Sequence, residues 1–278
     1  MLPGMADWEF TITGCGTSHG NPMWGVPGWW SDDPRDRRRR SGAFLRGPQG
    51  QVLLFDCGPD LAHQMTDPYR DWDGRSYPSR CIVRCDGVLQ THDHADHCHG
   101  INDLRHLNRL MKGDGIALYG AEEHLAVIRA MFPYCFGAGA DTYHLSKPSL
   151  RTVALADGVA TRIAGLDVIP FAMSHGSAGR TTGFRCGSLA YCTDVKDLPR
   201  AADPVLQGLD LLALGVLRDE LHPTHQSWDE AMAVIARLRP RRTVLIHTGA
   251  EVRYAAWAGR LPPGVELAVD GWTTTVAA

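Results

Sequence analysis

The stretch THDHADHCHG, residues 91 to 100, brings His92, His94, Asp96 and His97 together with Asp93 and His99. A packed core does not tolerate such a cluster, because each imidazole or carboxylate buried without a partner is costly or is forced to change protonation state. Neutral imidazoles with a few carboxylates suit Zn(II), Mn(II) or Fe(II), and not the all-oxygen shell of a calcium site. Three more residues of ligating type lie far along the chain: His175 in MSHG, Asp194 in YCTDV and His247 in LIHTG. The segment HPTHQS adds His222 and His225, either of which could move a proton. The loop GCGTSHGNP adds Ser18 and His19.

The elements that must carry these residues are legible from periodicity. WEFTITG alternates apolar and polar residues and runs into the glycine-rich loop. GAFLRGPQGQVLLFDCGPD reads as a hairpin turning at Gly-Pro-Gln-Gly and ending at Asp56. Residues 88–90 form a strand that delivers the histidine cluster, and GINDLRHLNRLM follows with helical spacing. IALYG is a strand and AEEHLAVIRAMF a helix. LDVIPFAMSHG, TTGFRCGSLAYCTDV, LDLLALGVL and RTVLIHTG supply further strands, and SWDEAMAVIARLRP an amphipathic helix with Ser227 placed to cap it. His92, His94, Asp96, His97, His175, Asp194 and His247 thus all fall just past the C-terminal ends of apolar strands, where a rigid sheet can fix ligand geometry. Strands alternating with helices predict layered sheets with helices outside, in one domain across residues 1–278. Residues 66–80 are polar and turn-rich, as an insertion loop would be.

THDHADH matches the His-x-His-x-Asp-His motif of the metallo-β-lactamase superfamily, and His175, Asp194 and His247 follow in that family's order. GCGTSHGNP, DPRDRRRRSGAFL, HGINDLR and HPTHQSWDEA resemble the branch containing the cyclic-phosphate phosphodiesterase of the carbon–phosphorus lyase pathway. More distantly, HQSWDEA resembles a segment of the tRNA 3′-processing endonuclease. The resemblance implies an α/β fold, an αββα sandwich of two central mixed sheets flanked by helices. It also implies two divalent transition-metal ions, Zn or Mn with Fe as a further option. One ion takes His92, His94 and His175, the other Asp96, His97 and His247, and Asp194 bridges them. Two such ions about 3.5–4 Å apart can share a hydroxide and neutralise charge on a phosphoryl oxygen. The activity implied is a metal-dependent phosphodiesterase acting through that hydroxide on a small phosphodiester, cyclic ones included. Asp96, His225 and His222 are then the catalytic candidates. The endonuclease segment favours His225 as donor to the leaving oxygen, a role that contributes about 10²–10⁴ in rate. Ser18 and His19 are candidates to touch the phosphate. Asp93, His99 and Asp103 are candidates to orient the ligands.

Members of that branch often carry a cysteine-rich zinc loop before the arginine run. Here the segment is MWGVPGWWSDD, without Cys or His, so no structural zinc is expected in 21–40 and Trp24, Trp29 and Trp30 are expected to pack the loop. The remaining cysteines read as small buried apolar residues. A net charge of -3 argues against a general nucleic-acid binder, and RDRRRR reads as a solvated face diluted by Asp32, Asp33 and Asp36. No run of about 18 apolar residues suggests a membrane span, and the start lacks a signal pattern, so a cytoplasmic location is expected. The expected partner is a small phosphodiester, with a homodimer as the one protein–protein option. A lactone or thioester hydrolase, the tRNA-type endonuclease and an iron oxidoreductase are the competing activities. The last is disfavoured by the complete ligand set.

Overall fold

The computed structural model describes residues 7–66, 82–111, 115–137 and 147–278. The expected insertion loop at 66–80 lies outside them, apart from Thr66. The first sheet holds β1 (Trp8–Gly14), β2 (Gly42–Arg46), β3 (Val52–Phe55), β4 (Gly87–Leu89), β5 (Ile116–Gly120) and β6 (Leu150–Ala154). The second holds β7 (Thr161–Ile163), β8 (Leu166–Ser174), β9 (Arg180–Cys186), β10 (Leu189–Cys192), β11 (Leu211–Gly215), β12 (Arg242–Ile246) and β13 (Val265–Leu267). The last strand, β14 (Thr273–Val276), returns to the first sheet. The spatial orders are β14-β1-β2-β3-β4-β5-β6 and β13-β12-β11-β10-β9-β8-β7.

Period-two alternation explains why these segments form two stacked sheets. Leu53 and Phe55 of β3 point into a shared core with Phe10, Phe184, Tyr191, Val244 and Ile246 of the other strands. Val52 and Leu54 point the opposite way, toward Leu125 and Ile128 of α4 (Glu122–Met131). In the second sheet Ala213 faces the shared core, while Leu212 and Leu214 pack against Ala231, Val234 and Leu238 of α5 (Trp228–Leu238). Helices therefore cover both outer faces and the two sheets face each other, the αββα order expected from the sequence. Ser227 caps α5 in a capping box with Glu230, also as expected.

Sheet direction gathers the functional residues. β3, β4, β5 and β6 are mutually parallel, as are β10, β11, β12 and β13, so their C-terminal ends meet at one edge. β8 runs antiparallel to β9, which is antiparallel to β10, so β8 also ends there.

Three readings need correction. GINDLRHLNRLM is not one helix but a 3-10 turn (Ile101–Leu104) followed by a short α-helix (Arg105–Met111). Trp24 and Trp30 do not pack the 21–40 loop, being 90% and 60% exposed, and only Trp29 is half-buried. A buried polar node holds the loop instead. Arg38 donates to Gly249 O and Val252 O and pairs with Asp36 at 3.0 Å, both side chains being nearly inaccessible. Asp36 also accepts from Ser31 Oγ and Tyr254 N at 2.7 Å each. Nor is the arginine run a solvated face throughout, for Arg38 is buried, Arg40 pairs with Asp60 and Arg35 with Asp33. The loop starts and ends beside His247, through bridges from Gly16 to Arg40 and to Thr248.

Candidate metal centre

His92 and His94 leave β4, with Asp96 and His97 in the short helix α2 (Ala95–Cys98) behind them. His175 follows β8, Asp194 follows β10 and His247 follows β12. Asp194 stands among the histidines. Its Oδ1 is 3.1 Å from His97 Nε2 and 3.1 Å from His247 Nδ1, while its Oδ2 is 3.6 Å from His175 Nε2 and 3.9 Å from His92 Nε2. His92, His94, His175 and Asp194 form one group whose ligating atoms could meet a single ion, and His97, Asp194 and His247 form another. Asp96 adjoins the second group, with Oδ2 3.2 Å from His97 Nε2.

The distal nitrogens are held by a network that sets the tautomers. Asp56, at the end of β3, accepts from His97 Nδ1 at 2.7 Å, from Thr91 N at 2.7 Å and from Thr91 Oγ1 at 2.9 Å. Because the Thr91 hydroxyl spends its proton on Asp56, it accepts from His92 Nδ1 at 2.9 Å. His175 Nδ1 donates to Thr224 O at 2.8 Å, whereas at His247 it is the nitrogen facing Asp194, Nδ1, that also lies 2.8 Å from Ser41 Oγ. This leaves His92 Nε2, His97 Nε2 and Asp96 Oδ2 buried without a hydrogen-bond partner. Orphaned buried atoms of this kind cost about 1–3 kcal/mol each. Imidazole nitrogens and carboxylate oxygens left without a partner on both sides of Asp194, His92 on one side and His97 with Asp96 on the other, are the donor types divalent transition metals take, so the residues fit the ions.

Backbone strain is concentrated at the same place. Asp56, Asp194 and His247 hold φ values of 63°, 48° and 55°, a region L side chains rarely adopt. Glycine permits the close approaches. A Cβ on Gly100 would meet Gly58 O at 1.9 Å, so α2 could not otherwise seat against the Asp56 loop. Gly176, at φ 62°, lets the turn after His175 close on Pro223, where a Cβ would meet the carbonyl at 2.0 Å. That contact brings His225 to the site: its ring lies 4.8 Å from His175 and 4.9 Å from His247, and His222 stacks on it at 5.3 Å.

Electrostatics follow from crowding. Burial pulls the His97 imidazole down, but Asp194, Asp96 and Asp56 outweigh it and hold it well above the ordinary value. Burial pushes the Asp194 carboxyl up, yet His247 and His97 hold it well below the carboxylate range. His97 likewise overrides burial at Asp96, held at about 2. Burial, joined by neighbouring histidines, depresses His92 strongly. Burial then His247 lower His225 to about 3, and burial then Arg218 lower His222.

The structure therefore brings together His92, His94, Asp96, His97, His175, Asp194, His247 and His225, with His222 behind. Ser18 and His19 stand exposed in a turn after β1. The expected orienting residues are partly replaced. His99 packs edge-on against Phe132, and Asp93 binds His124. The carboxylate that accepts directly from a ligand imidazole is Asp56. The sequence signal was present, since Asp56 too ends an apolar strand.

Fold and site together define a metallo-β-lactamase-fold hydrolase with a metal-binding cluster. The beta-lactamase superfamily domain pattern matches residues 51–248, and the chain belongs to that superfamily. An octanoyltransferase of Porphyromonas gingivalis is 28% identical over 264 residues, 94% of this chain and 50% of that protein. A ribonuclease Z of Salinibacter ruber is 30% identical over 160 residues, 53% of this chain and 44% of that protein. The chain thus spans about half the length of these curated relatives. Among solved structures, a diphosphatase of the PhnP family is 29% identical with a TM-score of 0.84, covering 97% of each chain. Among the described residues, no helix is long and apolar enough to cross a membrane.

Proposed function

We propose that this chain is a dinuclear metal-dependent phosphodiesterase acting on a small phosphodiester, cyclic ones included. The observation that carries the reading is the position of Asp194, with one carboxylate oxygen toward His97 and His247 and the other toward His92 and His175. On this reading His92, His94 and His175 hold one ion, Asp96, His97 and His247 the other, and Asp194 both. When bound, the two ions supply an activated water and neutralise charge on the phosphoryl oxygens. The choice of a phosphorus–oxygen bond is supported by the likeness over nearly the full length to the PhnP-family diphosphatase, and by the partial likeness to ribonuclease Z.

The chain's own residues do the rest. Asp56 holds His97 directly and His92 through Thr91, so both present Nε2. His225 stands beside the two groups without belonging to either, as suits a donor to the leaving oxygen. Burial keeps its imidazole neutral, and an anionic phosphodiester placed against it favours the protonated form. His222, stacked on the outer side, accepts from Thr224 and positions the loop. Ser18 and His19 contact the phosphate from the turn after β1.

The test is hydrolysis of bis-p-nitrophenyl phosphate, cyclic phosphates, lactones and octanoyl thioesters by the metal-loaded enzyme and by Asp194→Ala. Phosphodiester turnover abolished in the variant is expected. Turnover confined to lactones or thioesters would replace this reading with acyl hydrolysis.

A further inference from the structure

β5 is another apolar strand whose C-terminal end carries a histidine. β4 and β5 run parallel with Leu89 opposite Tyr119, and His124 lies as far past Tyr119 as His94 lies past Leu89. The two loops therefore leave the sheet side by side. His124, in the first turn of α4, donates from Nδ1 to Asp93 Oδ1. Asp93 is the residue between His92 and His94. Its own carbonyl accepts from Cys98 Sγ at 3.3 Å, so the same residue is held from two directions.

The surroundings of His124 agree with a fixed part of the centre. Its ring stands 6.3 Å from that of His92 and nearly perpendicular to it. Its Nε2 is shielded from water without a hydrogen-bond partner, 4.0 Å from Glu123 Oε1, and Glu123 in turn lies 3.5 Å from Arg180 Nη1. The other histidines of the centre have a partner on one nitrogen: Thr91 for His92, Asp56 for His97, the Thr224 carbonyl for His175 and Ser41 for His247. Among the described residues no hydrogen bond holds the His94 ring, which touches those of His92 and His175 at 4.5 and 5.2 Å. Its aim depends on its backbone, and that backbone is tied down one residue earlier, at Asp93.

We propose that His124, acting through Asp93, is a positioning residue for the His92–His94 half of the centre. It fixes the 92–94 backbone so that both imidazoles point at the same ion. This rests on the reading that His92, His94 and His175 hold one ion. Groups that orient metal ligands typically contribute 10–100-fold in affinity or activity.

The experiment is competition for Zn(II) between the full chain and a chromophoric chelator, for wild type, His124→Phe, His124→Asn and Asp93→Ala. Asparagine places its amide nitrogen where His carries Nδ1, so it keeps the donor to Asp93. The expected result is two binding constants in wild type. In His124→Phe one of them should weaken by about 10–100-fold while the other is unchanged. His124→Asn should recover most of that loss. His124→Phe combined with Asp93→Ala should be no weaker than either alone, because both remove one interaction. Unchanged constants in His124→Phe overturn the proposal, and so does an equal loss in His124→Asn. A wild type that takes up fewer than two ions instead overturns the two-ion reading beneath it.

Discussion

Replacing Asp56 by asparagine probes how the protein keeps its metal-facing nitrogens bare. Asp56 accepts four hydrogen bonds, from His97 Nδ1, Thr91 N, Thr91 Oγ1 and Gln90 Nε2. An Asn has one oxygen, and Thr91 N at 2.7 Å from Oδ1 claims it, since the reverse orientation would set two N–H donors against each other. The new NH2 then faces His97 Nδ1 and Thr91 Oγ1. His97 must accept there, so its proton moves to Nε2, which lies 3.1 Å from Asp194 and 3.2 Å from Asp96. Thr91 Oγ1 also lies 3.0 Å from the retained Oδ1, so its proton keeps an acceptor and His92 keeps its tautomer. A protonated Nε2 cannot ligate. One substitution outside both metal-facing groups should therefore weaken the ion beside His97 by about 10–100-fold, or about 1.4–2.8 kcal/mol, while the ion beside His92 is retained. The metal-free fold should lose less, about 0.5–1.5 kcal/mol for one net hydrogen bond. By contrast, Asp56→Ala leaves several buried donors unpaired at about 1–3 kcal/mol apiece and should endanger folding itself. Chelator competition and thermal melting of the metal-free protein measure the two terms, and ring-nitrogen NMR reads the tautomers. Wild-type metal constants in Asp56→Asn, or a bare His97 Nε2 in its spectrum, would refute this chain of reasoning.

Three further outcomes follow from the same structure. His225→Ala should keep both metals and lose about 10²–10⁴ in kcat on an alkoxide leaving group but far less on p-nitrophenolate, whereas equal losses on the two substrates would assign His225 to binding. Arg38→Ala, which leaves the buried Asp36 carboxylate only the more distant Arg253 at 3.8 Å as a cation, should cost up to about 3–5 kcal/mol in urea unfolding, and a loss under about 1 kcal/mol would show the loop is held by something else. On acidification the metal-free protein should weaken between about pH 6.5 and 3. His92, His175, His225 and His247 are depressed, so the stability they contribute is full above their unfolded value of about 6.5 and is lost as pH falls toward their folded values, each with a slope of up to about 1.4 kcal/mol per pH unit. His97 is raised, so its contribution runs the other way: it is present below about 6.5 and lost as pH rises through its folded value. Stability that instead increases from pH 6.5 to 4 would mean the histidines are not buried as described.

The ligand-type residues could be found in the sequence because each closes an apolar strand, and parallel strands deliver their ends to one edge whatever the details of packing. Asp56 and His124 obey the same rule and could have been found by it. FDCG and IALYGAEEH each place a polar residue of ligand or orienting type just past an apolar strand. Thr91, Ser41 and the Thr224 carbonyl were not legible. Their roles depend on contacts between segments far apart in the chain, as with Thr91 and Asp56 or Ser41 and His247. The Trp-rich loop misled for a related reason. Tryptophan is usually buried, but here the anchor is Arg38, and an arginine becomes a core residue only when carbonyls such as Gly249 O and Val252 O are already in place to receive it.

The claim on which everything else depends is that Asp194 joins two ions. Anomalous diffraction from crystals grown with Zn(II) tests it directly. Two peaks should appear, one on each side of the Asp194 carboxylate, the first beside His92, His94 and His175 and the second beside His97 and His247, with both diminished in Asp194→Ala. A single peak, or two that do not share Asp194, would contradict the account.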